Sequence, residues 1–307
     1  MTNRNWLSDF DIGAGAVRVR KTGAVVPIER GVVVEVATWL PFYFAVAAAA
    51  PKSKAFKLAF SPDRARPWYL VWAAAKLAGA DIVDDPADAD VIFHFEDATI
   101  SRNPPPARRR AHAKLINFEC MDVSKSAVAA AFEATFGYDL TIDPRTYSGQ
   151  AVEKSERNGA HDGRLVTCPT DPRPGRVYQR LIDTARRDGL VEDLRTPLVG
   201  GKAICVYRKR RRIGERFANH NSEVELARPA EIFSAAELDL LARFAAAIGL
   251  DWGGVDVLRD VRDGRLYVVD VNKTDMGPPI ALPLKDKMAS ARALAAAFRD
   301  LAMAGSS

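Results

Sequence analysis

The sequence predicts an α/β protein built in more than one lobe, and three observations lead there. At 307 residues the chain exceeds one ordinary core and suits two or three lobes. Residues 51–120 alternate strand-like and helix-like runs, the pattern of a parallel sheet with helical crossovers. Beyond them, β-rich runs joined by glycine turns surround well-capped helices, which adds an α+β part.

Composition narrows the class further. Apolar residues are 48% and charged residues 27%, the balance of a folded globular chain rather than a disordered one. Lys and Arg number 44 against 39 Asp and Glu, a net charge of +5. That mild excess suits small anions, phosphates included, and falls far short of a nucleic-acid coat. Cys120, Cys168 and Cys205 are odd in number and widely spaced, so they make neither a disulfide framework nor a metal knuckle. Buried free thiols and a cytoplasmic setting are expected. Residues 1–11 lack a basic-then-apolar signal. Residues 32–50 are apolar apart from Glu35 and Thr38, long enough for a bilayer. The glutamate, and the change from β-branched to Ala-rich composition, favour a buried strand at 32–37 and a short helix at 41–50. Neither membrane nor nucleic acid is an expected partner.

In chain order, residues 1–50 read as short strands with turns at 21–23 and 29–31. A strand at 56–60, a helix at 68–78 ended by Gly79, and strands at 80–83 and 91–95 follow. Strand, helix, strand predicts a Rossmann-like unit, and the absence of G-x-G-x-x-G excludes a dinucleotide reading. Trp68, Tyr69 and Trp72 lie at helical spacing and are assigned to its core; His94 is assigned to packing or a cleft edge. The basic, Pro-rich run at 101–110 marks a lobe boundary. Then come a strand at 114–118 and a helix at 124–136 between Ser124 and Gly137. Two strands flank the loop 157–163, a further strand covers 177–182, and a hairpin turns at Gly200-Gly201. The best-defined helix, 233–249, has a capping box in Ser234 and Glu237 and a stripe of Leu238, Leu241, Phe244, Ala245 and Ile248. The expected division is a β-rich segment 1–50, a Rossmann-like lobe 51–120, and a domain 121–307 whose two parts meet near residue 180.

Residues 253–272 repay a register argument. GGVDVLRD and RLYVVDVN flank Asp263-Gly264. A two-residue loop would set Asp256 against Val271, polar against apolar at each step. A three-residue loop with Gly264 left-handed sets Val255 against Val271, Val257 against Val269 and Leu258 against Val268. It also sets Asp256 opposite Asp270, with Gly254 beside Asn272. Two like charges that close need a positive neighbour. A hard divalent cation fits, with Asn272 supplying a third oxygen from the same face. The alternative is a solvated face whose acids pair with arginines.

The ending, capped helix, GLDWGG, VDVL, VVDVN, resembles that of the ATP-grasp superfamily, in its RimK-like carboxylate–amine ligase branch, with Asp270 where the family usually has Glu. The resemblance covers residues 115–300. Cys120-Met121-Asp122 through Lys125 is similar to the family's phosphate-approaching lysine element. Val152-Glu153-Lys154 is similar to the lysine-bearing strand ahead of the phosphate-covering loop, here 157–163. Gln179, Arg180, Leu181 and Ile182 fall on the hinge that holds adenine through its backbone. Asp193 to Gly201 is similar to the D-I-R-x-x-V-V-G-G hairpin; Arg208 falls on its basic exit, and Asn219-His220-Asn221 in the next loop. The resemblance implies an ATP-grasp fold behind a Rossmann-like N-terminal lobe, with ATP and Mg²⁺ as cofactors. It implies ATP contacts at Lys125, Lys154, Gln179, Arg180, Leu181, Ile182 and Asp193. Metal ligation is implied at Asp256, Asp270 and Asn272, and catalytic charge at Arg195 and Arg208. The implied reaction activates a small-molecule or peptide carboxylate as an acylphosphate for an amine-type nucleophile, in an enzyme that can be a homodimer. A kinase that stops at the phosphorylated substrate, and a nucleotide-binding regulatory protein, are the alternatives. Within the run YRKRRR at 207–212, Arg208 is expected inward and the rest in solvent. His161, in the loop, is assigned as a plain loop histidine.

Overall fold

The computed structural model describes residues 10–13, 15–19, 25–27, 30–160, 162–215 and 223–304. Strands β1 (Phe10–Gly13), β2 (Ala16–Val19) and β3 (Val25–Pro27) form an antiparallel sheet in that order. The expected turn at 21–23, the loop 219–221 and His161 lie outside the described residues.

Helix α1 (Arg30–Ala49) corrects the strand expected at 32–37. It passes through Pro41, whose side is exposed and whose missing N–H costs one helical bond. Its Phe42 and Val46, four residues apart, are buried against Ala73, Met288 and Ala291. That packing, against segments distant in sequence, outweighs the few tenths of a kcal/mol by which β-branched residues resist helix. Among the described residues, no helix is long and apolar enough to cross a membrane.

Next come β4 (Phe56–Pro62), α2 (Leu70–Leu77), β5 (Ala80–Val83), β6 (Val91–Phe95) and β7 (Lys114–Ile116). The strands make a parallel sheet of order β5-β4-β6-β7, as the strand–helix–strand pattern requires. Helix α3 (Lys125–Phe136) starts where Ser124 caps Ala127 N–H and stops where Gly137 turns left-handed. Strands β8 (Gly149–Ser155), β9 (Arg164–Cys168) and β10 (Arg176–Arg180) form a small sheet with β8 central. The chain then lays down β11 (Leu190–Val199), β12 (Lys202–Ala203), β13 (Val206–Arg212), β14 (Glu223–Ala227), α4 (Pro229–Ile232), α5 (Ala235–Ala247), β15 (Trp252–Arg259), β16 (Leu266–Asn272) and α6 (Leu284–Met303). The large antiparallel sheet has the order β14-β13-β11-β15-β16, with β12 folded onto β11.

Strand alternation divides the large sheet into two faces. Leu194, Leu198, Val206, Val255, Val257 and Val271 point to one, buried against Val128 and Phe132 of α3 and Leu241 and Phe244 of α5. A second core joins the lobes: Phe60 and Phe93 of the parallel sheet pack with Leu294 and Phe298 of α6 and with Trp252 of β15. The three cysteines are buried and free.

The lobes are also fastened by Asn117, fully buried just after β7 with φ 63°. Its Nδ2 donates to Trp252 O at 2.7 Å, and its Oδ1 accepts from Asp251 N at 2.9 Å and Trp252 N at 2.8 Å. Asn tolerates the left-handed region, and its amide matches three backbone groups at once. Asn117→Ala strands those groups, each at about 1–3 kcal/mol. Urea unfolding should therefore show a loss of at least about 3 kcal/mol; a loss below 1 would contradict the fastening role.

The β15–β16 hairpin places Asp256 opposite Asp270, Val255 opposite Val271 and Gly254 opposite Asn272, as the apolar pattern demands. Nearer the turn the register differs from expectation. Val257 faces Val268 and Leu258 faces Tyr267, because a bulge follows Asp256. The turn is correspondingly longer: Asp260 N–H bonds Arg265 O at 2.9 Å across residues 261–264, with Gly264 at φ 74°.

Candidate functional site

The face of the large sheet turned away from its core carries charge. Cross-strand pairing aligns Arg195 with Asp256 and with Tyr207, Asp193 with Lys209, and Asp256 with Asp270. Leu194 and Leu198 must enter the core, so Asp193 and Arg195 turn to this face. The small sheet and its loop lie over it and close a cleft. Its lining includes Val152, Leu181, Ile182, Val191, Leu258 and Val269 on the apolar side, and Lys125, Lys154, Gln179, Asp193, Asp256 and Asp270 on the polar side.

Lys125, the first residue of α3, reaches Asp270 Oδ1 at 2.5 Å and Asn158 Oδ1 at 3.2 Å. Lys154 donates to Val269 O at 3.0 Å. Burial lowers its pKa to about 8, against the pull of Asp270. Gln179 is buried in the cleft wall, and its Nε2 has no hydrogen-bond partner among the described residues. Arg180 is exposed at the mouth, while the Leu181 and Ile182 N–H groups have no backbone partner among the described residues.

Asp256 and Asp270 face each other, but neither is a bare carboxylate. Arg195 Nη1 lies 3.0 Å from Asp256 Oδ2, Lys209 Nζ lies 3.5 Å from Asp256 Oδ1, and Lys125 holds Asp270. Burial would raise the Asp256 pKa; Arg195, then Lys209, hold it well below the carboxylate range. Part of the arginine-paired alternative is thus realised. Arg195 Nη2 makes a second bond, 2.6 Å to Asp275 Oδ1. Asp275 is buried, and burial outweighs the Arg195 charge and raises its pKa.

Arg208 reverses the expectation for its run. It turns to the opposite face, where its Nη2 meets Glu192 Oε1 at 3.0 Å and its Nη1 meets Glu225 Oε2 at 3.2 Å. The cations on the cleft face are Lys209 and Arg211, the latter bonded to Asp193. Val206 held the clue: an apolar residue bound for the core puts 207, 209 and 211 on the other side. Asp275 and Asn158 also went unread in the sequence. Asn158, in the loop expected to cover the phosphates, is tied to the cleft. Its N–H bonds Thr99 Oγ1 at 2.9 Å and its Nδ2 bonds Val271 O at 3.1 Å.

A divalent ion needs oxygen donors here. Asp256, Asp270 and Asn272 provide two carboxylates and an amide oxygen on one face, and Asp256 Oδ1 is buried without a hydrogen bond among the described residues. Among the described residues, no three His, Cys, Asp or Glu side chains cluster to hold a metal. Mg²⁺ keeps several of its waters and uses one or two carboxylates beside phosphate oxygens, so the donor set fits it. Thr274 N–H fixes the Asn272 amide by bonding its Oδ1 at 3.1 Å.

No family model and no curated protein matches the chain. Solved structures do. The ATP-grasp ligase PsnB, complexed with minimal precursor, Mg and ADP, is 14% identical, with TM-score 0.50 over 76% of this chain and 96% of that one. A RimK domain protein ATP-grasp from Sphaerobacter thermophilus is 14% identical, with TM-score 0.47 over 80% of this chain and 99% of that one. D-alanine–D-alanine ligase from Bacillus anthracis is 12% identical, with TM-score 0.48 over 81% and 98%. The likeness to PsnB gives the chain an ATP-grasp fold.

Proposed function

We propose, from the ATP-grasp fold and the charges gathered in its cleft, that the protein is an ATP-dependent ligase joining a carboxylate to an amine-type nucleophile. The observation that carries this reading is the convergence of Lys125, Lys154 and Arg195 on paired Asp256 and Asp270, beside an apolar slot. Phosphoryl transfer asks a protein chiefly for positioned charge and exclusion of water.

In this reading the apolar side chains sandwich the base, and the Leu181 and Ile182 N–H groups meet its edge. Lys125 and Lys154 neutralise phosphate oxygens. Asp256, Asp270 and Asn272 would hold Mg²⁺, which when bound screens the charge on the phosphates. Arg195, clamped between Asp256 and Asp275, faces the place where the substrate carboxylate takes up the γ-phosphoryl group. Loop 157–163 shuts out water that would hydrolyse the acylphosphate. Lys209, beside Asp256, takes the place that the resemblance implied for Arg208.

The test is ADP release from Mg²⁺–ATP across a panel of carboxylates and amines. Release that needs both substrates supports the ligase; release with a carboxylate alone and a stable phosphorylated product would replace it with a kinase. Lys154 adds a pH signature. Its pKa of about 8 leaves it cationic below that value and neutral above it. ATP affinity should be greatest below pH 8 and fall about tenfold by pH 9–10. Lys154→Ala should weaken binding and flatten that profile, which calorimetry at pH 7 and 9.5 would read. A mutant with unchanged affinity would remove Lys154 from the site.

A further inference from the structure

Asn272 offers a divalent ion one oxygen, and a neighbouring hydroxyl competes for it. An amide oxygen has two lone pairs. Thr274 N–H takes one of those on Asn272 Oδ1, at 3.1 Å. The Thr274 hydroxyl stands 3.3 Å from the same oxygen, within reach of the other. If it donated there, Asn272 would have nothing left for a metal.

A hydroxyl has one proton to give. Thr274 Oγ1 also lies 3.1 Å from Asp97 Oδ1. That contact is the shorter of the two, and a carboxylate oxygen is a stronger acceptor than an amide oxygen. The proton therefore goes to Asp97, and the second lone pair of Asn272 stays free.

Asp97 is itself held in place. It follows β6 by two residues, and Tyr69, the N-cap of α2, donates its hydroxyl to the other carboxylate oxygen, Oδ2, at 3.2 Å. Thr274 is buried two residues past the end of β16. Thr99, two residues beyond Asp97, accepts from Asn158 N–H at 2.9 Å. Residues 97–99 thus meet the start of α2, the exit of β16 and the loop that carries Asn158.

We propose that Asp97 is a positioning residue for the metal site: it holds the Thr274 hydroxyl proton and so keeps Asn272 Oδ1 open to a divalent ion. The proposal rests on the place given to Asn272 in the ligase reading. A residue that only fastened the lobes would change nucleotide affinity equally with and without metal. One that frees a ligand oxygen acts on the metal's share alone.

Calorimetric ADP affinity in excess Mg²⁺ and in EDTA separates the two roles, because the ratio reports what the metal adds. Asp97→Ala should lower that ratio about tenfold, the scale usual for a partner of a ligating group, and leave the EDTA affinity at the parent value. Asp97→Asn should keep the ratio, since its amide oxygen can accept the Thr274 proton while its NH₂ group donates to the Tyr69 oxygen. On a Thr274→Val background, which has no hydroxyl proton, Asp97→Ala should cost nothing further. An unchanged ratio in Asp97→Ala, an equal loss in EDTA and Mg²⁺, or a loss that persists in full on Thr274→Val would overturn the proposal. Asn272→Ala tests the reading beneath it. If Asn272→Ala lowers the ratio and Asp97→Ala does not, the metal site stands and Asp97 alone is removed. A parent ratio near one, or an Asn272→Ala ratio equal to the parent's, would remove the metal site and the proposal with it.

Discussion

Gly254→Ala should cost at least about 3 kcal/mol of stability and abolish Mg²⁺–ATP-dependent turnover. Gly254 lies on β15 opposite Pro197 and Asn272, flat under the most crowded charges of the sheet. A Cβ there would sit 2.6 Å from Arg195 Nε and closer still to Asp275 Oδ2. Neither can retreat, since both are buried and bonded to each other. The methyl group must part them or push β15 off its neighbours. Separating a buried ion pair costs about 3–5 kcal/mol, because each charge is left without its partner. Gly264→Asn is the control. Gly264 is also a hairpin glycine, at φ 74° with nothing within 4 Å of a built Cβ, and Asn adopts that region readily. It should lose less than about 1 kcal/mol and keep its nucleotide response. Urea melts and ADP release for the two variants decide the matter: similar losses would mean that Gly254 serves the turn-bearing hairpin in general and not the Arg195–Asp275 clamp.

Side chains with one permitted environment were legible in the sequence. Val255 and Val271 can only enter the core, and that alone set Asp256 opposite Asp270. The bulge after Asp256 was hidden, because a three-residue turn and a longer turn with a bulge leave the same acids facing each other. Helix α3 and helix α5 could be read from their caps, since Ser124, Gly137, Ser234 and Glu237 act within four residues of their own helix ends. Helix α1 could not, because its β-branched start is overridden by α2 and α6, which lie far along the chain. The charged run of β13 misled for a related reason. Arginines suit either face of a strand, and only pairing with β11 sends Lys209 to Asp256 and Arg208 to Glu192. Asp275 carries no local pattern at all; its meaning comes from Arg195, eighty positions earlier.

Asp256→Asn should lose about 3–5 kcal/mol at neutral pH even without ligand, and with it the stabilisation by Mg²⁺–ATP. Two opposed carboxylates would by themselves predict the contrary, a variant relieved of repulsion and as stable as the parent. The geometry decides against that. Arg195 and Lys209 both lie within 3.5 Å of Asp256, so removing its charge leaves two cations together, one of them buried. Asp270→Asn breaks one ion pair, with Lys125 at 2.5 Å, and removes the weaker pull on Lys154, and should cost less. The pH dependence carries a definite sign. The Asp256 pKa is depressed in the folded state, so its contribution is complete above the ordinary value of about 4 and disappears as pH falls through the lower folded value. Parent and Asp256→Asn should therefore differ most at pH 7 and converge as the pH is lowered below about 4. Chemical denaturation at pH 7 and pH 3, with thermal melts in Mg²⁺–ATP at pH 7, measures both effects. An Asp256→Asn protein as stable as the parent at pH 7 would refute the Arg195–Lys209 pairing. One that is destabilised but still fully stabilised by Mg²⁺–ATP would keep the pairing and remove Asp256 from the metal site.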